Sequence, residues 1–184
     1  MQTPDTADLP LVTPLAGQAV LLRPFAASDV CERYVGWLND PEVVRYSNQR
    51  FRAHTTATCL AYLDTFQGTD NTFLAIESLA SRSVVGTMTA YANRTHGTVD
   101  VGIMVGERLV WGTGLGQDAW NTCLAALFAV PWVRKVTAGT LAANLGMLRL
   151  MQRSGMVLEG VRRAQELLGG EPCDIHLYGR LRGA

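Results

Sequence analysis

The chain has 184 residues, of which 48% are hydrophobic, so a single domain with a sizeable hydrophobic core is expected. Sixteen basic residues balance sixteen acidic residues, which argues against nucleic acid or another polyanion as a partner. No apolar run approaches the length that spans a membrane, and the N-terminus has acids where a signal peptide has bases, so a cytoplasmic protein is expected.

The first residues of the chain predict an extended arm rather than part of the core. They contain three prolines, which remove backbone donors and disfavour regular structure. We therefore expect a flexible N-terminal arm at residues 1–16 and one folded domain at residues 17–184. The first strand is expected at residues 19–23, where an apolar run ends at Pro24.

Two helices with a polar connection between them follow the first strand. Ser28 or Asp29 can cap a helix that ends at the Asn-Asp-Pro sequence of residues 39–41. A second helix is expected at residues 55–67. The connection, residues 42–55, is polar, basic and aromatic without periodicity, so it either lines a substrate site or is a solvated loop.

The rest of the chain predicts a sheet whose strands first meander and then alternate with helices. Three strands with short connections, at residues 72–77, 83–91 and 98–105, predict an antiparallel meander. The later elements are a helix after residue 115, a strand at 133–139, a short helix at 144–153, and strands at 156–163 and 173–181. This order predicts a mixed α/β (α+β) sheet rather than a doubly wound parallel one.

Three glycines at alternate positions, Gly112, Gly114 and Gly116, connect the strand at residues 98–105 to the next helix. Glycine lets the backbone take positive φ and approach a ligand, and free N–H groups at a helix N-terminus attract anionic oxygens. The spacing differs from the G-x-G-x-x-G of dinucleotide-binding domains, and no Gly-Lys-Ser/Thr sequence follows as in a P-loop. The loop therefore predicts either phosphate binding or a simple strand-to-helix turn.

Six stretches of the chain, including W-G-T-G-L-G at residues 111–116, resemble the GNAT N-acetyltransferases in sequence and order. The nearest branch is the Rim type, the ribosomal-protein N-terminal acetyltransferases. The resemblance extends from Gln18 to Arg182 and implies a cytoplasmic bacterial enzyme with the GNAT fold, a mixed, mostly antiparallel and splayed sheet flanked by helices. It implies direct transfer of acetyl from acetyl-CoA to a primary amine. The other five stretches are residues 37–43, 99–106, 143–156, 158–163 and 174–178.

The resemblance assigns acetyl-CoA to the glycine loop and to the strand before it. In the family the pantetheine arm lies along the strand at residues 102–105, and the pyrophosphate lies over the amides of residues 111–117. Trp111 replaces the usual Arg or Gln, while Asn144 keeps the family's residue type and also suits a helix N-cap. The expected cofactor-binding residues are Ile103, Met104, Val105, Trp111, Gly112, Thr113, Gly114, Leu115, Gly116, Gln117 and Asn144.

Two carboxylates are candidates for the base that takes a proton from the acceptor amine. Asp100 lies in the strand where family members often carry Glu, and its shorter side chain would act through water. Glu166 lies in a segment similar to the one whose Glu is assigned to the amine in Rim-type enzymes, and it is the preferred candidate. Either carboxylate needs a raised pKa to be an effective base. Without that role, Asp100 is a charge at the end of a strand and Glu166 is an exposed acid in a hairpin.

Both side chains that usually donate a proton to the leaving thiolate are replaced in this chain. Met147 stands at the position of the usual Ser, and Met151 stands at that of the usual Tyr. Tyr178 on the last strand is a candidate substitute, and otherwise it is a half-buried strand aromatic. Because thiolate is a tolerable leaving group, slower transfer without an acid is one alternative. A non-catalytic acyl-CoA-binding or sensor module is the other.

The expected partner is an amine acceptor, either a protein N-terminus or a small molecule, and the sequence leaves both open. In the Rim-type branch the segment that closes over the acceptor includes Arg45, Tyr46, Asn48, Arg50 and His54, and these two arginines can meet a carboxylate or a phosphate. Asp174 is expected to bond the backbone or to position Glu166. No metal is expected, because the four cysteines are widely scattered. Members of the branch are often dimers, so a homodimer is compatible with the resemblance.

Overall fold

The computed structural model describes Leu11 and residues 14–183. The strands are β1 (Leu15–Ala16), β2 (Val20–Pro24), β3 (Thr72–Ser78), β4 (Ser83–Asn93), β5 (Thr98–Val105), β6 (Lys135–Leu141), β7 (Val157–Leu168) and β8 (Glu171–Leu181). The helices are α1 (Glu32–Asn39), α2 (Thr56–Asp64), α3 (Leu115–Ala129) and α4 (Leu145–Arg153). None of the described helices is long and apolar enough to cross a membrane.

All the described strands lie in one open sheet, in the order β1-β2-β3-β4-β5-β6-β8-β7. Neighbouring strands are antiparallel except β5 and β6, which are parallel. Short connections join β1 to β2, β3 to β4 and β4 to β5, whereas the antiparallel neighbours β2 and β3 are joined by the long segment that contains α1 and α2. The parallel pair β5 and β6 needs a long crossover, which contains α3. The structure confirms the expected mixed and mostly antiparallel sheet.

The N-terminal end of the sheet begins earlier than the expected domain boundary at residue 17. Leu15 and Ala16 pair with β2, and Leu11 is fully buried in the core. Most of the expected arm, residues 1–16, lies outside the described residues. Helix α1 begins later than expected, after Cys31, because Asp29 instead accepts from the N–H of Ala26 (2.8 Å) and closes a separate short turn.

The last two strands form a longer hairpin than the sequence predicts. Residues expected to connect the strands are paired, since β7 continues to Leu168 and β8 begins at Glu171. Gly169 and Gly170 form the turn with φ of 62° and 89°. Two successive positive φ angles are what a two-residue hairpin turn requires, and glycine meets that requirement without strain.

Two hydrophobic cores lie on opposite faces of the sheet, because side chains alternate along each strand. On one face α3 and α4 contribute Trp120, Leu127 and Met151, which are all fully buried. On the other face α1 and α2 cover a smaller, aromatic core that includes Trp37 and Phe73. The helices do not cover the middle strands of the sheet completely, and the candidate site lies there.

The parallel strands β5 and β6 separate after three paired positions. Thr98, Val99 and Asp100 pair with residues 135–137, and none of the described residues beyond them continues the pairing. Residues 101–105 therefore present unpaired backbone groups on that side, as an edge strand does. This gap is the splayed region that the fold was expected to contain, and it opens towards the N-terminus of α3.

Candidate active site

The gap between β5 and β6 leads into a cavity of about 1160 Å³. Its walls come from the face of the sheet below α1 and α2, from the loop before α3, from α4 and from β7. A volume slightly above the usual range for small-molecule sites leaves room for a cosubstrate and an acceptor together. Within the described part of the chain, no cluster of His, Cys, Asp and Glu is suited to a metal ion.

The glycine loop presents unused backbone donors to this cavity. Gly112 and Gly114 have φ of 77° and 95°, a conformation that favours glycine, and α3 begins directly afterwards. The first hydrogen bond of the helix runs from the N–H of Asp118 to the carbonyl of Gly114 (3.0 Å). The N–H groups of residues 115–117 therefore have no partner within the helix. Together with the helix dipole these N–H groups are suited to an anionic ligand, and we call them the candidate anion site.

Trp111 shapes the loop at the end of β5. Its indole Nε1–H donates to the carbonyl of Val105 (2.7 Å), and its side chain remains 43% exposed. The guanidinium of Arg108 lies 5.7 Å from the centre of the indole ring. Trp111 therefore holds the loop against β5, a role that differs from the cationic contact an Arg at this position would offer to phosphate.

The side chains of Asn144 and Gln117 connect α4 and α3 to neighbouring elements through hydrogen bonds. The Asn144 Oδ1 accepts from the N–H of Met147 (3.2 Å), and its Nδ2 donates to Oγ1 of Thr140 (3.0 Å). The Gln117 Nε2 donates to the carbonyl of Leu150 (3.3 Å). Both side chains also line the cavity, so the helix-capping role of Asn144 is compatible with a contact to pantetheine.

Nine of the eleven residues predicted to bind the cofactor line the cavity. The two others are Thr113, whose Oγ1 donates to the carbonyl of Val110 (2.7 Å), and Leu115, which packs against the main core. These two side chains serve the fold. Leu115 still presents its backbone N–H at the start of α3, whereas Thr113 uses its own N–H within the preceding turn.

Asp100 lies where β5 and β6 separate, and it lines that end of the cavity. Thr137 of β6 donates its hydroxyl to Oδ2 (2.7 Å), and Oδ1 has no hydrogen-bond partner among the described residues. Asp100 is exposed to water within the cavity, and the surrounding walls partly enclose its carboxyl group. This enclosure raises the pKa of Asp100 above its ordinary value, and the bond from Thr137 partly opposes the shift. A raised pKa and a free oxygen suit a general base.

Glu166 lies on the far wall of the cavity, three strands from β5 in the sheet order. Asn48 donates from Nδ2 to Oε1 of Glu166 (3.2 Å), and a guanidinium nitrogen of Arg50 lies 3.6 Å from Oε2. Arg50 also donates to the carbonyl of Leu167 (2.9 Å) and to that of Ser47 (2.7 Å). We call the contacts of Asn48 and Arg50 with Glu166 and Leu167 the cross-cavity clamp.

A bulge in β7 places Glu166 at the cavity. Residues 163–165 have no partners on β8, because Arg162 pairs with Ile175 and Glu166 pairs with Cys173. Ala164 in the bulge has φ of 49°, and its N–H donates to Oδ1 of Asp174 (2.7 Å). Asp174 thus bonds the backbone, as predicted, and supports the segment that carries Glu166.

The structure does not bring Tyr178 to the site. Its side chain is 5% exposed and packs in the main core, where its hydroxyl accepts from Nε2 of Gln152 (3.1 Å). Strand alternation is the reason, because Ile175 and Leu177 line the cavity and Tyr178 points to the opposite face. Tyr178 is therefore a core aromatic rather than a substitute acid, and Met147 lines the cavity where a proton donor was sought.

Two features of the cavity were not predicted from the sequence. The hydroxyls of Tyr62 and Tyr91 lie 2.6 Å apart in the wall formed by α2 and β4. Polar side chains alternate with apolar ones along β4 from Thr87 to Tyr91, a pattern that indicates a polar face. The second feature is Arg162 of β7, which lines the cavity while the adjacent Arg163 does not. No local pattern separates these two arginines, because Arg162 is the last paired residue before the bulge and Arg163 already lies within it.

The sequence model of a protein family, the acetyltransferase (GNAT) domain, matches residues 19–157 of this chain. The match covers the sheet from β2 to β6, the glycine loop and α4, so it includes the gap and the candidate anion site described above. A comparison with curated proteins finds no match.

Three solved structures share the fold at low sequence identity. A GNAT-family acetyltransferase from Bacillus anthracis is 19% identical, with a TM-score of 0.80, and the alignment covers 94% of this chain and 100% of that chain. Spermidine N-acetyltransferase from Vibrio cholerae, in complex with CoA and spermine, is 16% identical with a TM-score of 0.80 over 89% and 96% of the two chains. RimL, a ribosomal L7/L12 alpha-N-protein acetyltransferase in complex with coenzyme A, is 13% identical with a TM-score of 0.79 over 92% and 98%.

Proposed function

Because the chain belongs to the GNAT acetyltransferase family, we propose that it transfers an acetyl group from acetyl-CoA to a primary amine by direct attack. The observation that carries the proposal is the gap between β5 and β6, which leads to the free N–H groups of residues 115–117. A pantetheine arm can pair with the unpaired edge of β5 while the pyrophosphate lies over those N–H groups. Coenzyme A in the Vibrio cholerae and RimL structures supports the same cosubstrate.

The loop fits a pyrophosphate although it has no basic side chain of the usual kind. A Cβ at Gly112 or Gly114 would meet no atom within 4 Å, so a ligand can approach the backbone there. Arg149 and Arg153 line the cavity wall formed by α4 and add positive charge to it. Backbone donors and these two arginines together supply the attraction for phosphate in this proposal.

In the proposed reaction Asp100 is the base and Glu166 is a positioning residue. The free Oδ1 of Asp100 takes a proton from the acceptor ammonium, directly or through water, and the neutral amine attacks the thioester carbonyl. A C–N bond forms, the C–S bond breaks, and the leaving thiolate receives the second amine proton. Glu166 is less available for this role, since Asn48 and Arg50 engage both of its oxygens. This assignment reverses the preference drawn from the sequence.

A second candidate function is a non-catalytic acyl-CoA-binding or sensor module. Met147 favours it, because this side chain lines the cavity at the position of the usual proton donor. The burial of Tyr178 in the core favours it as well. The sensor function predicts that acetyl-CoA binds without transfer to any amine, whereas transfer that depends on Asp100 excludes it.

We further propose that the chain belongs to the Rim-type branch and acts in the cytoplasm as a single domain, the expected residues 17–184 together with β1. The six resembling sequence stretches support this placement. The acceptor is a protein N-terminus or a small amine, and the structural neighbours include an enzyme named for each kind. A homodimer stays a prediction, and sedimentation velocity at micromolar concentration measures it directly.

Titration calorimetry of acetyl-CoA into Gly114→Asp and Gly114→Asn variants tests the phosphate site. Both side chains strain the positive φ of Gly114 similarly, and only Asp adds a negative charge beside the free N–H groups. We expect the Kd for acetyl-CoA to be at least about tenfold higher for the Asp variant than for the Asn variant. Equal Kd values would contradict pyrophosphate binding at the loop. A wild-type protein that binds neither acetyl-CoA nor CoA would contradict the function itself.

A further inference from the structure

Arg162 is a cation that lines the cavity without an ionic or hydrogen-bonded partner for its side chain among the described residues. Its neighbour across the hairpin is the apolar Ile175. The next residue of β7 that lines the cavity is Glu166, and the cross-cavity clamp already engages this carboxylate. A guanidinium keeps its charge at any accessible pH, so an unpaired one in a cavity is suited to an anionic ligand.

Arg45 and Arg50, which were expected to contact the acceptor, instead contact other residues of the chain. Arg50 donates to two backbone carbonyls and pairs with Glu166, so its guanidinium is committed to the clamp. Arg45 is half exposed and lies 3.9 Å from the carboxylate of Glu42. It also lies 5.4 Å from the ring of Tyr46. Arg50 is thus committed to the clamp, while the charge of Arg45 is partly balanced by Glu42.

The remaining arginines of the cavity, Arg149 and Arg153, belong to its other side. They lie on α4, which forms the wall next to the proposed cosubstrate. Arg162 lies instead on β7, the strand that carries Glu166 and contacts the clamp. Of the cavity arginines in the described part of the chain, Arg162 is thus the unpaired one on the acceptor side.

The sheet register gives the separation between Arg162 and the proposed base. Arg162 is level with Ile175 and Leu141, whereas Asp100 is level with Thr137. Four residues of β6 separate these two levels, which corresponds to about 13 Å along the strand, and the three strand spacings from β5 to β7 add about 14 Å across the sheet. The two backbone positions are therefore about 19 Å apart. An α-amino acid, whose amine and carboxylate share one carbon, is too short to contact both groups. A ligand that contacts both must have its anionic group several bonds from its amine.

We propose that the acceptor is an amine that carries a carboxylate or phosphate several bonds away, and that Arg162 binds this anionic group while the amine lies at Asp100. The inference rests on the proposed acetyl transfer and names the chemical class of its acceptor. A planar guanidinium binds carboxylate and phosphate through paired N–H donors, which adds orientation to the attraction of charge. Both a small ω-amino acid and a peptide N-terminus followed by an acidic side chain offer this chemistry.

Steady-state kinetics with matched acceptors tests the inference. The probes are 6-aminohexanoate and its neutral amide, assayed with wild type, Arg162→Gln and Arg163→Gln. Arg163 is the matched control, because it is the adjacent exposed arginine and does not line the cavity. We expect wild type to prefer the carboxylate, and Arg162→Gln to raise its KM about 10-fold to 100-fold. The KM of the amide and of acetyl-CoA should stay within about twofold in both variants.

Two C-terminally amidated tetrapeptides distinguish the sources of the anion, Ser-Ala-Glu-Ala-amide and its counterpart with a neutral side chain, Ser-Ala-Gln-Ala-amide. Preference for the acidic peptide that Arg162→Gln abolishes assigns a protein N-terminus, and the same result with 6-aminohexanoate assigns a small molecule. Equal use of acidic and neutral acceptors, or equal effects of Arg162→Gln and Arg163→Gln, overturns the inference and leaves acetyl transfer standing. Binding of acetyl-CoA without transfer to any of these amines or to a general amine panel overturns the proposed function as well.

Discussion

At the scale of single residues, Asp100 and Glu166 differ in what surrounds each carboxylate. Enclosure by protein raises the pKa of Asp100, and a single hydrogen bond from Thr137 leaves one of its oxygens free. Asn48 and Arg50 engage both oxygens of Glu166. The environment, rather than the type of side chain, therefore separates a proton acceptor from a positioning group.

The pH dependence of acetyl transfer tests this separation. Asp100→Asn should lower kcat about 100-fold to 10,000-fold, the usual contribution of a general base. Thr137→Val removes a bond that stabilises the ionised carboxylate, so the pKa of Asp100 should rise further. Because the ionised form is the active one, the acid limb of the kcat/KM profile should then move to higher pH. Thr137→Ser keeps the hydroxyl and should keep the wild-type profile, and coincident Val and Ser profiles would exclude Asp100 as the base.

At the scale of elements, Asp118 connects the first turn of α3 to the start of β2. Its carboxylate accepts from the N–H groups of Gln18 (3.1 Å), Ala19 (2.7 Å) and Val20 (3.1 Å). A Cβ at Gly17 would lie 2.7 Å from Oδ2 of Asp118, so this approach requires glycine. Helix α3 therefore presents the candidate anion site at its N-terminus and also holds the N-terminal part of the sheet in place.

Loss of this connection should destabilise the fold. Asp118→Ala removes a charged acceptor from three backbone donors, so the free energy of unfolding should fall by about 2–3 kcal/mol. Asp64→Ala is the control, since this exposed aspartate accepts one side-chain bond, from Gln67 (2.9 Å), and should cost less than about 0.5 kcal/mol. Urea denaturation followed by circular dichroism measures both values. Similar losses in the two variants would show that the three bonds contribute little.

At the scale of the whole molecule, the cross-cavity clamp joins two distant parts of the chain. Asn48 and Glu166 are 118 residues apart, and Arg50 and Leu167 are 117 residues apart. The clamp connects the segment between α1 and α2 to β7, whereas the proposed acetyl-CoA site lies on β5, α3 and α4. Opening the clamp should therefore change acceptor binding more than cosubstrate binding.

Arg50→Ala tests this division of the cavity. The variant loses the contacts to Glu166 and Leu167, so the KM of the acceptor should rise about tenfold. The Kd of acetyl-CoA, measured by calorimetry, should stay within about twofold. Arg52→Ala is the control, because Arg52 is exposed and its side chain makes no hydrogen bond or ion pair with the described residues. Equal losses of acceptor and acetyl-CoA binding would contradict separate roles for the two sides.

Much of the fold follows from patterns within short stretches of sequence. The apolar runs, the short connections and the later alternation of strands with helices predict the mixed sheet that the structure confirms. The hairpin of β7 and β8 was missed in part, because the bulge around Ala164 breaks the two-residue alternation that marks a strand. Only pairing with β8 and the bond to Asp174 make that segment a strand.

The sequence by itself determined most of the elements and the glycine turn before α3, because glycine conformation and the free N–H groups of a helix N-terminus are local properties. Tertiary structure alone decided which side chains reach the cavity. It placed Tyr178 in the core, Arg162 in the cavity and Glu166 in the clamp. These outcomes depend on the face that each strand presents and on contacts between residues far apart in the chain. Such contacts form only when the sheet is assembled, so no pattern within a short stretch of sequence predicts them.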